Sequence, residues 1–182
     1  MGEIRIPISV KLFIGMLSPE PALFDACADL LATQYGPVDY KSEVLAWDRS
    51  DYYKDEMGSG IKRTFIFFQD LTDPGTLAAV KNFTNSIEGR FLAKNSDHPR
   101  RRINLDPGYV TEAKVVLATT KDFPHRVYIG GNMYAEATLR FDSKERSFVP
   151  FEHTYYDFRS DTYKDIFNRA RELLRKGLHR TE

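Results

Sequence analysis

Cysteine is almost missing from this sequence, since Cys27 is the only one among 182 residues. The chain therefore cannot build a disulfide framework or a cysteine-based zinc site by itself. Cys27 falls at helical spacing among apolar residues and has no His or Lys as a near neighbour. This setting favours a small buried side chain over a reactive thiol.

An excess of either charge is also missing, because 26 basic residues balance 26 acidic ones. A neutral chain lacks the electrostatic signature of a dedicated nucleic-acid or membrane-surface binder. The basic run HPRRR, residues 98–102, is more typical of a solvated loop in such a chain.

Long apolar runs and several catalytic motifs are absent as well. The longest apolar runs fall far short of a bilayer span, and the opening MGEIRIPISVKLFIG lacks the regions of a signal peptide. We therefore expect no membrane partner and a cytoplasmic location. The sequence has no Walker or Rossmann glycine pattern, no Gly-x-Ser-x-Gly elbow and no His-Glu-x-x-His, so those nucleotide, acyl-transfer and zinc sites are not supported.

The composition that is present is that of an ordinary globular protein, with 42% apolar and 29% charged residues. Its length suits one domain, and we expect residues 1–182 to form it. The core would span about residues 8–106, and an extension would span about 111–177.

The first half of the chain alternates between strand and helix signals. VKLFIGML reads as a buried strand, and Ser18 with Pro19 offers a cap for a helix that ends at Gly36-Pro37. Two strands follow at about 38–47 and 61–68.

A second helix opens at Asp73-Pro74, and a short strand lies at 103–105. The order β-α-β-β-α-β predicts an α+β fold with a ferredoxin-like sheet and both helices on one face.

The second half adds a hairpin and a helix. Gly130, Gly131 and Asn132 tolerate the positive φ of a tight turn, and Ser160 caps a helix that stops at Gly177. Residues 111–120 suit either a helix or a strand, and we favour a short helix.

The hexapeptide NLDPGY, residues 104–109, ends the first half. Pro107 and Gly108 match the central positions of a type II turn. Asn104 and Asp106 alternate along the preceding strand, so both side chains would share a face and could edge a ligand site.

Two further segments carry candidate site chemistry. Alternation in the hairpin predicts one polar face that holds Tyr134, Glu136, Thr138 and Arg140, either solvated or ligand-binding. The loop TTKDFPHR before it offers several donors to an anion and a histidine that can titrate near neutral pH. Those residues are Thr119, Thr120, Lys121, Arg126 and His125.

The connection DRSDYYKDEMGSGIKR, residues 48–63, is longer than a hairpin needs. Asp51 could be a solvated charge or could bind a cation or an amine, and Tyr52 and Tyr53 add stacking surface. YYDFR at 155–159 repeats that chemistry.

Five segments occur in an order typical of one family: VKLFIGML, DYYKDEMGSGIKR, INLDPGY, AKVVLATTKDFPHRVYI and YAEATLRF. The chain resembles the prokaryotic family catalogued as domain of unknown function 4416, from about Ile8 to Arg171. The resemblance implies no established activity, so residue roles follow from side-chain chemistry alone.

The leading hypothesis is that the chain binds an anionic small molecule, phosphorylated or nucleotide-like, at a polar sheet face. If it is an enzyme, Asp106 and Glu136 would hold Mg²⁺ and His125 would move a proton in phosphoryl or nucleotidyl chemistry. The alternative is a protein-interaction module that uses tyrosines 52, 53, 155 and 156.

Overall fold

The structure is a computed structural model that describes residues 2–47, 54–93 and 100–179. These residues form nine strands, three long α-helices and one single-turn α-helix, besides short 3₁₀ turns at Pro74–Thr76 and Asp157–Arg159. The elements are β1 (Val10–Ser18), α1 (Ala22–Tyr35), β2 (Val38–Lys41), β3 (Leu45–Ala46), α2 (Lys54–Met57), β4 (Lys62–Thr72), α3 (Leu77–Arg90), β5 (Asn104–Val110), β6 (Lys114–Thr119), β7 (Val127–Gly130), β8 (Met133–Asp142), β9 (Ser147–Pro150) and α4 (Asp161–Leu178).

All nine strands belong to one antiparallel sheet with the order β2-β4-β1-β5-β6-β8-β7, in which β3 pairs with β4 and β9 with β8. The predicted mixture of helix and strand is confirmed at this level. The predicted strand at 38–47 is two short strands, β2 and β3. Within the described ranges, no helix is both long enough and apolar enough to cross a membrane.

One face of the sheet packs against α1 and α3. Leu12, Ile14 and Met16 alternate along β1 and meet Phe24 and Ile87 of the two helices in one buried cluster. Cys27 is part of the same cluster, and burial raises the pKa of its thiol to about 12. The prediction of a buried, unreactive cysteine agrees with this packing.

The opposite face of the sheet packs against α4 through aromatic rings. Phe13 lies between Phe67 and Phe167, with ring centroids 5.6 and 5.0 Å away, and Phe65 packs on Tyr163 at 4.9 Å. Burying each such ring contributes about 2 kcal/mol. The α4 side of the sheet, to which the hairpin strand β8 contributes, is therefore covered.

The predicted helix caps have different outcomes. Ser160 caps α4, because its hydroxyl accepts a hydrogen bond from the Tyr163 N–H at 3.3 Å. The predicted start at Ser18 is wrong, since α1 begins at Ala22. Ser18 ends β1 instead, and its hydroxyl accepts from the Glu20 N–H and donates to the Arg102 carbonyl.

The predicted short helix at 111–120 is also wrong, because residues 114–119 form β6. β5 and β8 pair with it on both sides. Val115 and Leu117 face α4, whereas Val116 faces α3. A strand that buries both faces shows no clear alternation in its sequence, and pairing partners decide its conformation.

The predicted turn at Pro107-Gly108 is wrong for a similar reason. Both residues lie inside β5, where Pro107 pairs with Ile14 and Gly108 with Phe13 of β1. A Cβ atom on Gly108 would lie 2.4 Å from the Val116 carbonyl oxygen and 2.5 Å from the Phe13 ring. Glycine is needed here for the close approach of two strands and a ring.

Candidate functional site

A cleft opens where β5 and β6 separate. Within the described residues the two strands pair at three positions, which join 108–110 to 115–117. The backbone N–H and C=O groups of Leu105 bond to side chains of α3. Backbone groups alternate in direction along an antiparallel strand, so those of Leu105, Pro107 and Tyr109 all point toward β6. Pro107 has no N–H to offer, so the ladder ends at this residue.

The resulting cavity, called the β5–β6 cleft below, has a volume of about 520 Å³. This size falls in the range of small-molecule sites. Seven of the residues predicted for the site line it: Asn104, Asp106, Thr119, Thr120, Lys121, Arg126 and Glu136.

Asp106 stands at the centre of a first charged cluster. It accepts a hydrogen bond from Asn104 Nδ2 at 2.6 Å, so the two alternate residues do lie on one face. Lys81 Nζ is 3.5 Å and Arg63 Nη1 is 3.6 Å from its carboxylate. Asp106 keeps 28% of its side chain exposed, whereas Lys81 and Arg63 keep 7% and 5%. The two cations thus form the inner wall of the cleft.

Arg63 reaches this position by lying over Gly15 of β1. A Cβ atom on Gly15 would lie 2.9 Å from Arg63 Nη1. The Nη2 atom of Arg63 is 3.5 Å from Asp157, which also accepts a 3.3 Å hydrogen bond from Trp47 Nε1. Arg63 therefore ties the sheet to the segment that leads into α4.

Arg101 and Glu88 extend the first cluster toward α2 and α3. Arg101 Nη1 donates to Asn104 Oδ1 at 2.8 Å and to Glu88 at 3.2 Å, and Nη2 donates to Glu56. Burial raises the pKa of the Glu88 carboxyl, although Lys81, Arg101 and the Leu105 N–H oppose the change.

A second cluster lies on the β6–β8 side, around Glu136. Arg126 Nε donates to Glu136 Oε2 at 2.7 Å, and both side chains are at most 2% exposed. Arg126 also donates to the Lys121 carbonyl and to the Tyr155 hydroxyl. Burial alone would lower the pKa of Arg126, but its bonds to Glu136 and Tyr155 outweigh burial and raise it. The loop after β6 is therefore held to β8 through one buried ion pair.

His125 lies beside the second cluster, 3.2 Å from Glu136 through Nε2, and does not line the cleft. Its ring stacks on His153 with centroids 4.4 Å apart, and Phe123 and Phe151 continue the stack on either side. Its 28% exposed side chain is thus oriented by a carboxylate and an aromatic neighbour.

Arg140 does not line the cleft, and the predicted polar row on β8 does not form. A bulge at Thr138 lets Val115 pair with Leu139 and Val116 with Ala137. Glu136 and Leu139 consequently share the α4 face, and Arg140 turns to the other face, where it pairs with Asp142 at 3.1 Å. Glu136 and Thr138 are buried, so the row is not a solvated face either.

Asp106 and Glu136, the two predicted metal ligands, both line the cleft. Over the part of the chain that the structure describes, no group of three or more His, Cys, Asp and Glu side chains could hold a metal ion. Asp106 and Glu136 instead accept hydrogen bonds or ion pairs from Asn104, Lys81, Arg63 and Arg126. Asp51 and Tyr52, which were predicted to bind the small molecule, lie outside the described residues.

Sequence reasoning missed three of the cations that line the cleft: Arg63, Lys81 and Arg101. A signal existed for Lys81, because it lies between Leu77 and Thr84 on the apolar stripe of α3, where a solvated lysine would not be placed. Arg63 opens a run of β-forming residues, and Arg101 sits in a basic run, so neither stands out in the sequence.

The fold and cleft define a protein of mixed helix and strand, with a charge-lined cavity in one antiparallel sheet. The chain belongs to the family described as Domain of unknown function (DUF4416), whose model matches residues 8–174. Comparison with curated proteins and with solved structures gave no match.

Proposed function

We propose that the β5–β6 cleft binds an anionic small molecule that is phosphorylated or nucleotide-like. The observation that carries this proposal is the inner wall of the cleft, where Arg63 and Lys81 are almost fully buried on either side of Asp106. Burying cations is costly unless partners satisfy them. Both cations face Asp106, and Arg63 also faces Asp157, so these carboxylates hold the two cations in place at the wall that an anion would meet.

Donors for the anion surround this wall. Among the described residues, five basic side chains line the cleft against four acidic ones. Lys121 lies exposed at the mouth, and Thr119 and Thr120 add hydroxyls at the end of β6. Lysine and hydroxyl donors of this kind are typical partners of phosphate oxygens.

Aromatic side chains support the nucleotide-like part of the proposal. Trp47, Phe123, Tyr155 and Phe158 line the same cavity. Phe123 and Tyr155 are each 50% exposed, and both rings lie against the Arg126 guanidinium. A planar ring of a ligand would stack against such surfaces.

For catalysis, the support is narrower. His125 would move a proton, because Glu136 holds its Nε2 and its ring stays partly open to solvent. A Mg²⁺ ion on Asp106 and Glu136 would have to displace Arg126 from one carboxylate and compete with two cations at the other. We therefore propose that the cleft binds the anion, and we propose phosphoryl or nucleotidyl chemistry only as a step that follows this binding.

A ferredoxin-like relationship is part of the same proposal. The order β2-β4-β1-β5, with α1 after β1 and α3 after β4, supports it for the first half of the chain. The cleft then lies where strands from the second half join that core.

The experiment is a thermal-shift and calorimetric screen with ATP, pyrophosphate and sugar phosphates, each with and without Mg²⁺. A ligand that binds the folded state raises the melting temperature by mass action. Lys121→Ala should weaken the response, and Arg140→Ala should leave it unchanged because Arg140 lies outside the cleft. A response that the two variants change equally would contradict the proposed site.

The second candidate function is protein interaction, and the exposure of Tyr156 favours it. Tyr156 is 70% exposed next to the half-exposed Tyr155. Exposed aromatic side chains are enriched at interfaces. No response to any anion, together with a stable partner lost on Tyr156→Ala, would favour this function.

A further inference from the structure

The edge of β5 is covered by side chains where its partner strand is missing. The Leu105 N–H donates to Glu88 Oε1 at 2.7 Å, and the Leu105 carbonyl accepts from Lys81 Nζ at 2.8 Å. These are the two backbone groups that β6 would have bonded had the ladder continued past Pro107. Two side chains of α3 thus take the place of a strand.

The positions of Lys81 and Glu88 on α3 direct both side chains toward the Leu105 backbone. Both lie on its buried stripe with Leu77 and Thr84, and they are 6% and 7% exposed. Charged groups on a buried stripe are destabilising unless they are hydrogen-bonded. Their bonds to Leu105, together with the ion pairs to Asp106 and Arg101, satisfy that requirement.

We propose that Lys81 and Glu88 are positioning residues that keep β5 and β6 apart and so fix the gap in which the ligand binds. The ligand part of this inference rests on the proposed function, whereas the structural part does not. With its backbone edge occupied, β5 cannot accept an incoming peptide strand at Leu105. The gap therefore suits a compact small molecule rather than a strand of another protein.

Amide exchange of Leu105 tests the structural part directly. In Glu88→Ala the Leu105 amide loses its acceptor, and we expect it to exchange about tenfold faster or more, while the Val110 amide is unchanged. Glu88→Gln keeps an acceptor oxygen and should restore slow exchange. Equal exchange of Leu105 in wild type and a folded Glu88→Ala variant would overturn the inference.

Lys81 needs a test that separates position from charge. Lys81→Met removes the donor together with a positive charge, and adding Asp106→Asn restores the net charge of the cleft. If Lys81 acts through position, the double variant should bind ATP about tenfold more weakly than wild type and its Leu105 amide should exchange faster, whereas loss of a direct contact alone would leave that exchange unchanged. Wild-type affinity in the double variant would overturn the role of Lys81. This measurement can be made even if the Glu88→Ala variant fails to fold.

The two parts fail in different ways. If wild type binds none of ATP, pyrophosphate and the sugar phosphates, the proposed function is wrong, but fast exchange of Leu105 in Glu88→Ala would still support the positioning role. If wild type binds ATP and the exchange and affinity of the variants do not change, the positioning role is wrong and the proposed function stands.

Discussion

The missing side chain of Gly15 gives Arg63 its place in the cleft wall. A Cβ atom at Gly15 would lie 2.9 Å from Arg63 Nη1 and 3.0 Å from the Phe65 ring. The Arg63 guanidinium therefore lies over Gly15 and from there reaches Asp106 and Asp157.

Gly15→Ala should consequently displace Arg63 without unfolding the protein. We expect a loss of about 1 kcal/mol in the free energy of unfolding, because only a flexible side chain and one ring must move. ATP affinity should fall about tenfold. Urea denaturation and calorimetry measure the two effects.

Gly89→Ala is the matched control. A Cβ atom there meets nothing within 4 Å, and Gly89 lies within helix α3. The substitution should raise stability by about 0.5–1 kcal/mol and leave ATP affinity unchanged. Loss of affinity in both glycine variants would show that Gly15 has no special relation to Arg63.

The Asp106→Asn variant tests whether this carboxylate neutralises the neighbouring cations or instead acts as a metal ligand or catalytic group. Since Lys81 and Arg63 both face Asp106, removing its charge should strengthen ATP binding, by about fivefold at low salt. A calorimetric titration decides the matter. Weaker binding that depends on Mg²⁺ would instead support the metal role predicted from the sequence.

The buried pair Arg126–Glu136 should dominate the stability of the loop after β6. Glu136→Gln leaves a buried guanidinium without its carboxylate, which costs about 3–5 kcal/mol. Adding Arg126→Met removes the stranded charge and should recover part of the loss. Chemical denaturation of both single variants and the double variant gives the coupling, and additive losses would show that the pair does not interact.

Glu88 should make stability depend on pH. Burial raises the pKa of its carboxyl. At pH values between the ordinary pKa and the raised pKa, the folded state therefore binds more protons than the unfolded state. The free energy of unfolding should therefore fall as pH rises through that window. Glu88→Gln should flatten this part of the profile, whereas Glu172→Gln on the exposed side of α4 should leave it as in wild type.

Much of the architecture could be predicted because it depends on local patterns. Strand β1, the stripes of α1 and α3, the cap at Ser160 and the hairpin turn near Gly131 all follow from the spacing and conformational preferences of nearby residues. The loop residues Thr119, Thr120 and Lys121 were found because donors cluster there in sequence.

The rest depends on partners distant in sequence. Pro107 and Gly108 resemble a turn, and only the pairing of β5 with β1 and the contact with Val116 make them part of a strand. The bulge at Thr138 arises from the register between β6 and β8, and it removes Arg140 from the site. Such register effects leave no local signal.

Trp47 offers the most direct test of the central claim, that the β5–β6 cleft binds an anionic ligand. It is the single tryptophan of the sequence and lines the cleft, so a ligand that enters this cavity should change its fluorescence. Titration with ATP and pyrophosphate should give a saturable change that Gly15→Ala weakens and Arg140→Ala preserves. A flat signal in wild type with every anion tested, or an equal loss in both variants, would contradict the account.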